Sequence, residues 1–440
     1  MSSRRVLSRL PMLPWGGVAA PEVAPPLEAF GAPEVGARAW GELLCDLAEA
    51  LHRAGAPVAR LESALQRVAG SLDLPLEILA TPTSLLMAFG RGRDQQVRLL
   101  RVEPGEVHLA RLAGLDGLLR DIEGRGAGPR LVDVRAARLR LEKLLAERPP
   151  FSAAAELAAA ALASGTAAFF FGGGAWDALT AALLGLSVAA LPRWFGGAER
   201  WQRLHEPLSA TLVAFAATSL ARLGLPLEAG ALTLAGLIAL VPGYSLTISL
   251  TDLANRHLVA GVARLAGVLG TLLGMALGVG LGRALGELTP QASAPASSVS
   301  LGVWGLVLAA LCTPPCFTVL FRARPRDVWG IEAAAVAAFG AGALGGQWLG
   351  AELGGLFGAA ALAVAANGLS RTLRLPASIF AVPGLMLLVP GSLGLRSMDA
   401  FLAEDALSGI EAAFSMVLSG SALAGGLLVG NVLLPPRRSL

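Results

Sequence analysis

The chain holds a single lysine, Lys143, and a single tyrosine, and only 15% of its 440 residues are charged. A soluble globular protein carries about a quarter charged residues. Because the one lysine sits in "RLEKLLAE", no G-x-x-x-x-G-K-[ST] phosphate loop exists, which excludes a P-loop ATPase subunit on this chain. The three cysteines, Cys45, Cys312 and Cys316, are odd in number, and two lie in an apolar run, so they form no disulfide framework. "CTPPC" has no histidine or further cysteine near it, so we read it as packing at a proline-disturbed helix rather than a metal site. His52 and His108 are isolated, and no nucleophile–base pair accompanies them. Neither an enzyme nor a cofactor is expected.

What the chain has instead is apolar residue and glycine. It is 54% hydrophobic with 54 glycines, and its mean hydropathy is +0.63. These values fit packed membrane helices. Most of the charge lies before Pro150. We therefore expect a tail over 1–35, a cytosolic α/β domain over 36–150, and two membrane repeats over 151–290 and 291–440. The net charge is +3, carried by arginines spread over loops, which is not a nucleic-acid footprint.

"MSSRRVLSRLPMLPWGGVAAPEVAPP" has the Arg4–Arg5 pair of an export signal, but Pro11, Pro14 and Pro21 interrupt the apolar core such a signal needs. A disordered tail is the expectation. Beyond it, "ARAWGELLCDLAEALHRAG" and "PVARLESALQRVAGSL" have helical spacing. "PLEILATPTSLLMAFG" and "QQVRLLRVEPGEVHL" read as strands split at Pro82 and Gly105, with "TPTS" a turn. "LARLAGLDGLLRDIEG" and "LVDVRAARLRLEKLLAE" return to helix.

After Pro150 ten spans can be placed, near 152–171, 174–191, 207–222, 229–250, 262–284, 299–321, 328–350, 353–371, 377–395 and 407–434. With the N-terminal domain in the cytoplasm, the inner loops hold Arg193, Arg200, Arg203, Arg256, Arg264, Arg322, Arg324, Arg326, Arg371, Arg374, Arg437 and Arg438. The outer loops hold only Arg222, Arg283 and Arg396, so the positive-inside rule supports this orientation and a multi-pass protein of the inner cell membrane.

Two spans break on the same residues. "LVPGYSLTISLTDL" starts at Leu240 and "LVPGSLGLRSMDAF" at Leu388, an offset of 148. At that offset no gap is needed from Gly236 to Gly282, and Gly261, Ala276, Gly278 and Gly282 meet Gly409, Ala424, Gly426 and Gly430. Asp177 in "AWDAL" and Asp327 in "PRDVW" fall at comparable places. This reads as a five-plus-five duplication. Five is odd, so the second copy enters the membrane inverted, as in secondary transporters with a midplane site. Proline removes a backbone donor and glycine permits non-helical dihedrals. Pro242, Gly243, Pro390 and Gly391 are therefore candidate substrate-binding positions, with Ser245, Thr247, Asp252, Arg264 and Ser392 beside them. Asp252, Glu332 and Glu411 are candidate coupling groups, being ionisable residues at membrane depth. Arg264 and Glu411, at near-equivalent repeat positions, would suit a cross-repeat ion pair. Gly270, Gly274, Gly278 and Gly282 recur every four residues, a ridge for close helix packing.

In order and spacing, "GAPVARLESALQRVAGSL", "TPTS", "AFFFGGGAWDA", "LVPGYSLTISLTDLANRHLVAGVARL", "FRARPRDVWG" and "RLPASIFAVPGLMLLVPG" resemble the threonine/serine exporter family of bacterial membrane proteins. The resemblance runs from about Gly36 to Pro435. It implies efflux of small hydroxy amino acids driven by the proton gradient. Split relatives in that family are associated with dicarboxylates, so succinate-like substrates remain an alternative, as does a membrane-anchored sensor. The expected partners are a small-molecule substrate, protons and the lipid bilayer, with homo-oligomerisation left open.

Overall fold

The structure is a computed structural model, and it describes residues 32–92, 95–103, 105–125, 131–194, 204–292, 300–388, 391–402 and 405–436. Residues 1–31 of the expected tail and Pro390 lie outside the described residues, and residues 32–35, expected in the tail, belong to the first helix.

The N-terminal domain opens with two helices, α1 (Ala32–Arg53) and α2 (Val58–Ser71), whose apolar faces bury Leu43, Leu47, Leu61 and Leu65. Three short strands follow, β1 (Leu76–Ala80), β2 (Ser84–Phe89) and β3 (Gln96–Arg101), antiparallel and in chain order. The period of two places Leu85 and Met87 against the helices and Leu86 on the outer face. The β1–β2 turn is closed by Thr81, whose amide donates to the Ser84 carbonyl at 2.8 Å. Helices α3 (Leu109–Arg125) and α4 (Leu131–Ala146) complete the domain. The expected strand segment after Gly105 is not formed. His108 instead starts α3, its Nδ1 accepting the Arg111 amide at 3.2 Å.

The next helix amides leave the domain altogether. The amides of Leu109 and Ala110 have no acceptor within their own helix. They donate to the carbonyls of Phe321 and Arg322 at 2.9 and 3.0 Å. Those residues follow α11 (Gly302–Leu320), so the N-terminal part is tied through backbone to the apolar helices that follow it. Glu106 meets Arg322 at 3.0 Å, and Glu62 lies 3.9 Å from His257. Buried side chains of both parts form one continuous core, which runs from Leu43 to Ile331 and Phe380.

The remaining helices are α5 (Ala153–Phe170), α6 (Ala175–Trp194), α7 (His205–Arg222), α8 (Ala229–Gly236), α9 (Gly243–Ala254) and α10 (Leu258–Gly286). After α11 come α12 (Val328–Leu349), α13 (Ala351–Leu373), α14 (Ser378–Met386), α15 (Gly391–Leu402) and α16 (Ala406–Leu433). Among the described residues seven helices are long and apolar enough to cross a membrane: α5, α6, α10, α11, α12, α13 and α16. The three expected spans outside this set have physical reasons. The fourth and ninth are each divided into two short helices, and α7 carries polar residues at both ends. Lipid-facing surfaces are leucine-rich, with Leu179, Leu183, Leu273, Leu277 and Leu281 exposed. Exposed tryptophans gather at helix ends, Trp194 and Trp329 near the soluble domain, Trp176, Trp304 and Trp348 at the far end. Such belts mark the two interfaces of a bilayer.

Half of the glycine ridge is used for packing. A Cβ at Gly278 or Gly282 would strike the carbonyl oxygens of Pro207 and Thr211 on α7, whereas Gly270 and Gly274 face open space. The same approach recurs 148 residues later, where a Cβ at Gly426 or Gly430 would strike the carbonyls of Leu356 and Ala360 on α13. Gly282→Leu should therefore lower the thermal stability of the detergent-solubilised protein by roughly 1–3 kcal/mol, as overpacking does. Gly270→Leu should leave it within error. Equal melting temperatures for the two variants would contradict this packing.

Burial, with Arg111 and Arg322 nearby, lowers His108 to about 4. In the unfolded chain a histidine titrates near 6.5. The unfolded state thus binds the extra proton across pH 6.5 to 4, and stability falls as pH drops through that window. A two-and-a-half-unit difference is on the order of 3 kcal/mol. His108→Asn keeps an acceptor at the Nδ1 position for the Arg111 amide without the titration. Melting curves of this variant should lose most of the acid slope between pH 6.5 and 4, and a slope equal to wild type would show that other groups carry it.

Candidate functional site

Where α8 stops, the α-helical ladder gives way to tight turns. Leu240 donates to Leu237 at 2.9 Å, Gly243 to Val241 at 2.8 Å, and α9 restarts with Leu246 donating to Pro242 at 3.0 Å. Pro242 is the N-cap of α9, where its missing amide costs nothing. The hydroxyls that follow are mostly turned onto their own helix. Thr247 donates to the Gly243 carbonyl at 3.3 Å, Ser249 to Leu246 at 2.7 Å and Thr251 to Thr247 at 2.8 Å. These bonds satisfy buried hydroxyls locally. Pro242, Tyr244 and Ser245 of this stretch face a large cavity. Gly243 is buried in the turn itself.

The second break ends α14, which carries Pro383 inside it, with Leu388 donating to Leu385 at 2.9 Å. Pro390 lies outside the described residues, Gly391 begins α15, and Ser392 is half-buried.

Both breaks face a cavity of about 830 Å³. Leu240, Val241, Pro242 and Ser245 line it from the first break and Met386 from the second. Its charged wall was not among the residues expected from sequence. Glu156, one turn into α5, is held by Arg193 at 2.8 Å and by Arg322 at 2.9 Å, and Glu206 stands with them. Arg322 also takes Glu106, so the soluble-domain link and the cavity wall share one guanidinium. A glutamate in the Ala-rich first span was the available sequence signal. Its arginine partners are 37 and 166 residues away.

Asp252 and Arg264 are brought together, Oδ2 to Nε 3.6 Å, an ion pair too long for a hydrogen bond. Asp252 is 4% exposed, and its Oδ2 has no hydrogen-bond partner. The expected Arg264–Glu411 pair is not formed, because Arg264 turns to Asp252 in its own half while Glu411 is exposed on α16. Glu332 is half-buried on α12 with both carboxylate oxygens unbonded, away from the cavity walls described here.

Asp252 lines a second, smaller space of about 150 Å³, with Arg60 of α2, Tyr244, Ser378, Asn367 and Asn431. At the opposite end of the bundle lies a recess of about 240 Å³ walled by Glu228, Gly230, Thr233, Leu234, Val279 and Arg283. Shifting Gly230, Thr233, Leu234, Val279 and Arg283 by 148 gives Ser378, Ala381, Val382, Leu427 and Asn431. All five line the smaller space. The two Asp positions behave less alike. Asp177 is buried and accepts the amides of Gly174 and Glu228, each at 2.8 Å, whereas buried Asp327 keeps Oδ2 unbonded.

Two family models match the chain, "Putative threonine/serine exporter" over residues 42–286 and "Threonine/Serine exporter, ThrE" over residues 305–433. Comparison with curated proteins and with solved structures gives no match. The matched segments take in the soluble domain and both broken helices, and the chain belongs to the threonine/serine exporter family.

Proposed function

We propose that the protein is a secondary-active, proton-driven exporter of threonine and serine, with its soluble domain in the cytoplasm and its membrane part built as two inverted five-helix repeats. The observation that carries this reading is the cavity of about 830 Å³ faced by both helix breaks. Transporters of inverted-repeat design bind substrate between discontinuous helices, where half-helix ends supply partial charges. The N-terminus of α9 opens onto the cavity through Tyr244 and Ser245 and suits a carboxylate. Glu206 on the same wall suits an ammonium, since Glu156 is already taken by Arg193 and Arg322. Glu106, Glu156 and Glu206 outnumber Arg193 and Arg322 on this wall, and that balance favours a zwitterion over a dicarboxylate dianion.

The inverted arrangement is supported by the two recesses at opposite ends, related by the 148-residue shift, and by the repeated glycine contacts of α7–α10 and α13–α16. The soluble domain sits at the end bearing Arg256, Arg322, Arg324 and Arg374, the end that the positive-inside rule assigns to the cytoplasm. Asp252, buried beside Arg264, is the coupling carboxylate: it gains and loses the proton in each cycle, and its charge acts on Arg264.

Inverted vesicles holding the protein should take up labelled threonine and serine when their interior is acid, and succinate should not accumulate. Uptake of succinate alone would assign the protein to dicarboxylates, and uptake unaffected by collapsing the gradient would remove the proton. Asp252→Asn keeps size but not titration, and gradient-driven uptake should fall at least tenfold with the protein still inserted. Normal rate and unchanged pH dependence in that variant would pass the coupling role to Glu332. A cysteine at Gly92, at the β2–β3 hairpin, should react with an impermeant thiol reagent only after cells are permeabilised. Labelling in intact cells would reverse the orientation.

A further inference from the structure

The two halves differ in how their broken helices begin. In the first half, α8 is fixed at its start from two directions. Asp177, in the first turn of α6, accepts the Glu228 amide at 2.8 Å. The Glu228 carboxylate then caps α8, accepting the Gly230 amide at 3.3 Å and the Ala231 amide. The second half repeats the parts without these bonds. Asp327 stands at the N-cap of α12, and α14 begins at Ser378. At the 148-residue offset the place of Glu228 is taken by Pro376. A proline has no amide to give. No side chain caps α14 either.

The missing donor leaves a mark. Asp327 is buried beside Arg324 and Arg326, with the Arg326 Nε 3.9 Å from its Oδ1, yet its Oδ2 has no hydrogen-bond partner. Ser378 Oγ, at the start of α14, is also buried and unbonded. The first atom is an acceptor, and the hydroxyl is a donor. Their helices are in close contact: a Cβ at Gly330 of α12 would meet the Phe380 ring of α14 at 2.6 Å. Buried polar groups in folded proteins are nearly always bonded. A vacant acceptor and a vacant donor on two touching helix starts are therefore complementary. Asp252 Oδ2, which shares the smaller recess with Ser378, is a second vacant acceptor, but it faces Arg264 at 3.6 Å.

We propose that Asp327 and Ser378 form a latch, open in this structure, that closes when α14 shifts on α12 and the Ser378 hydroxyl donates to Asp327 Oδ2. Pro376 is what makes the latch reversible. An amide at that position would hold α14 to Asp327 as the Glu228 amide holds α8 to Asp177, and the second broken helix would be as fixed as the first. The second half is thus the one that moves at its break. Met386, at the end of α14, lines the large cavity, so the latch acts on that wall. The latch rests on the two vacant atoms and on the repeat. Its part in transport rests on the exporter reading.

Pro376→Ala supplies the missing amide. Replacing a proline ordinarily lowers stability, because the unfolded chain gains freedom. Here the full-length protein in detergent should instead melt higher, by at least about 1 °C. Placed in Asp327→Ala, the same replacement should give the ordinary fall. In inverted vesicles, Pro376→Ala should slow threonine uptake at least fivefold, since α14 is then held. Ser378→Ala removes one oxygen and is the variant least able to disturb folding. It should slow uptake at least threefold alone and change nothing further in the Pro376→Ala background. A lower melting temperature for Pro376→Ala with Asp327 present would overturn the latch, and so would Ser378→Ala slowing uptake by the same factor in both backgrounds. If wild-type vesicles take up no threonine, the exporter reading fails, and the melting temperatures of Pro376→Ala with and without Asp327 still decide the latch.

Discussion

A helix cannot stop within a hydrocarbon layer unless something other than lipid receives its freed amides and carbonyls. That constraint organises this molecule. The two segments with Pro-Gly pairs are not lipid-exposed rods. Each is divided into two half-helices, packed between longer helices that shield the break. The long helices come close enough to do this because Gly278 and Gly282 let α10 lie on α7, and Gly426 and Gly430 let α16 lie on α13. The breaks in turn need a shared polar space, and the cavity between Pro242 and Met386 supplies it.

The soluble domain is joined to this design by a few strong contacts. Arg322 is the hub. It pairs with Glu156 in the membrane part and with Glu106 in the soluble part, while its carbonyl receives the Ala110 amide. A charge shared between cavity wall and domain interface gives a direct physical route between them. Removing Arg322 would leave Glu156, half-buried at the cavity wall, with Arg193 as its remaining ion-pair partner in the structure.

Much of the architecture was legible in the residues. Hydropathy and loop signals placed the helices within a few residues, because a span must be long and apolar whatever its neighbours do. The Pro-Gly pairs located the first break, and the 148-residue offset matched Gly278 and Gly282 to Gly426 and Gly430, which make the same kind of helix contact; the two recesses were not foreseen. What escaped was set by tertiary contact. Thr247, Ser249 and Thr251 look like a polar ligand set, yet their hydroxyls bond their own helix. Arg264 chose Asp252, twelve residues before it, over the repeat-related Glu411. Glu156, Arg193 and Arg322 meet only in three dimensions, and no local pattern marks them as one cluster. Nothing near Arg60 in "GAPVARLESALQ" says that it reaches the membrane domain.

The central claim is that one half is the other turned over in the membrane, so that equivalent residues open to opposite sides. Gly230 and Ser378 are the sharpest pair, 148 residues apart and each on the wall of its own recess. With Cys45, Cys312 and Cys316 replaced by alanine, Gly230→Cys and Ser378→Cys can be labelled with an impermeant thiol reagent in right-side-out and inverted vesicles. The account predicts that Gly230→Cys reacts from the outside and Ser378→Cys from the cytoplasmic side. Reaction of both from one side would contradict it.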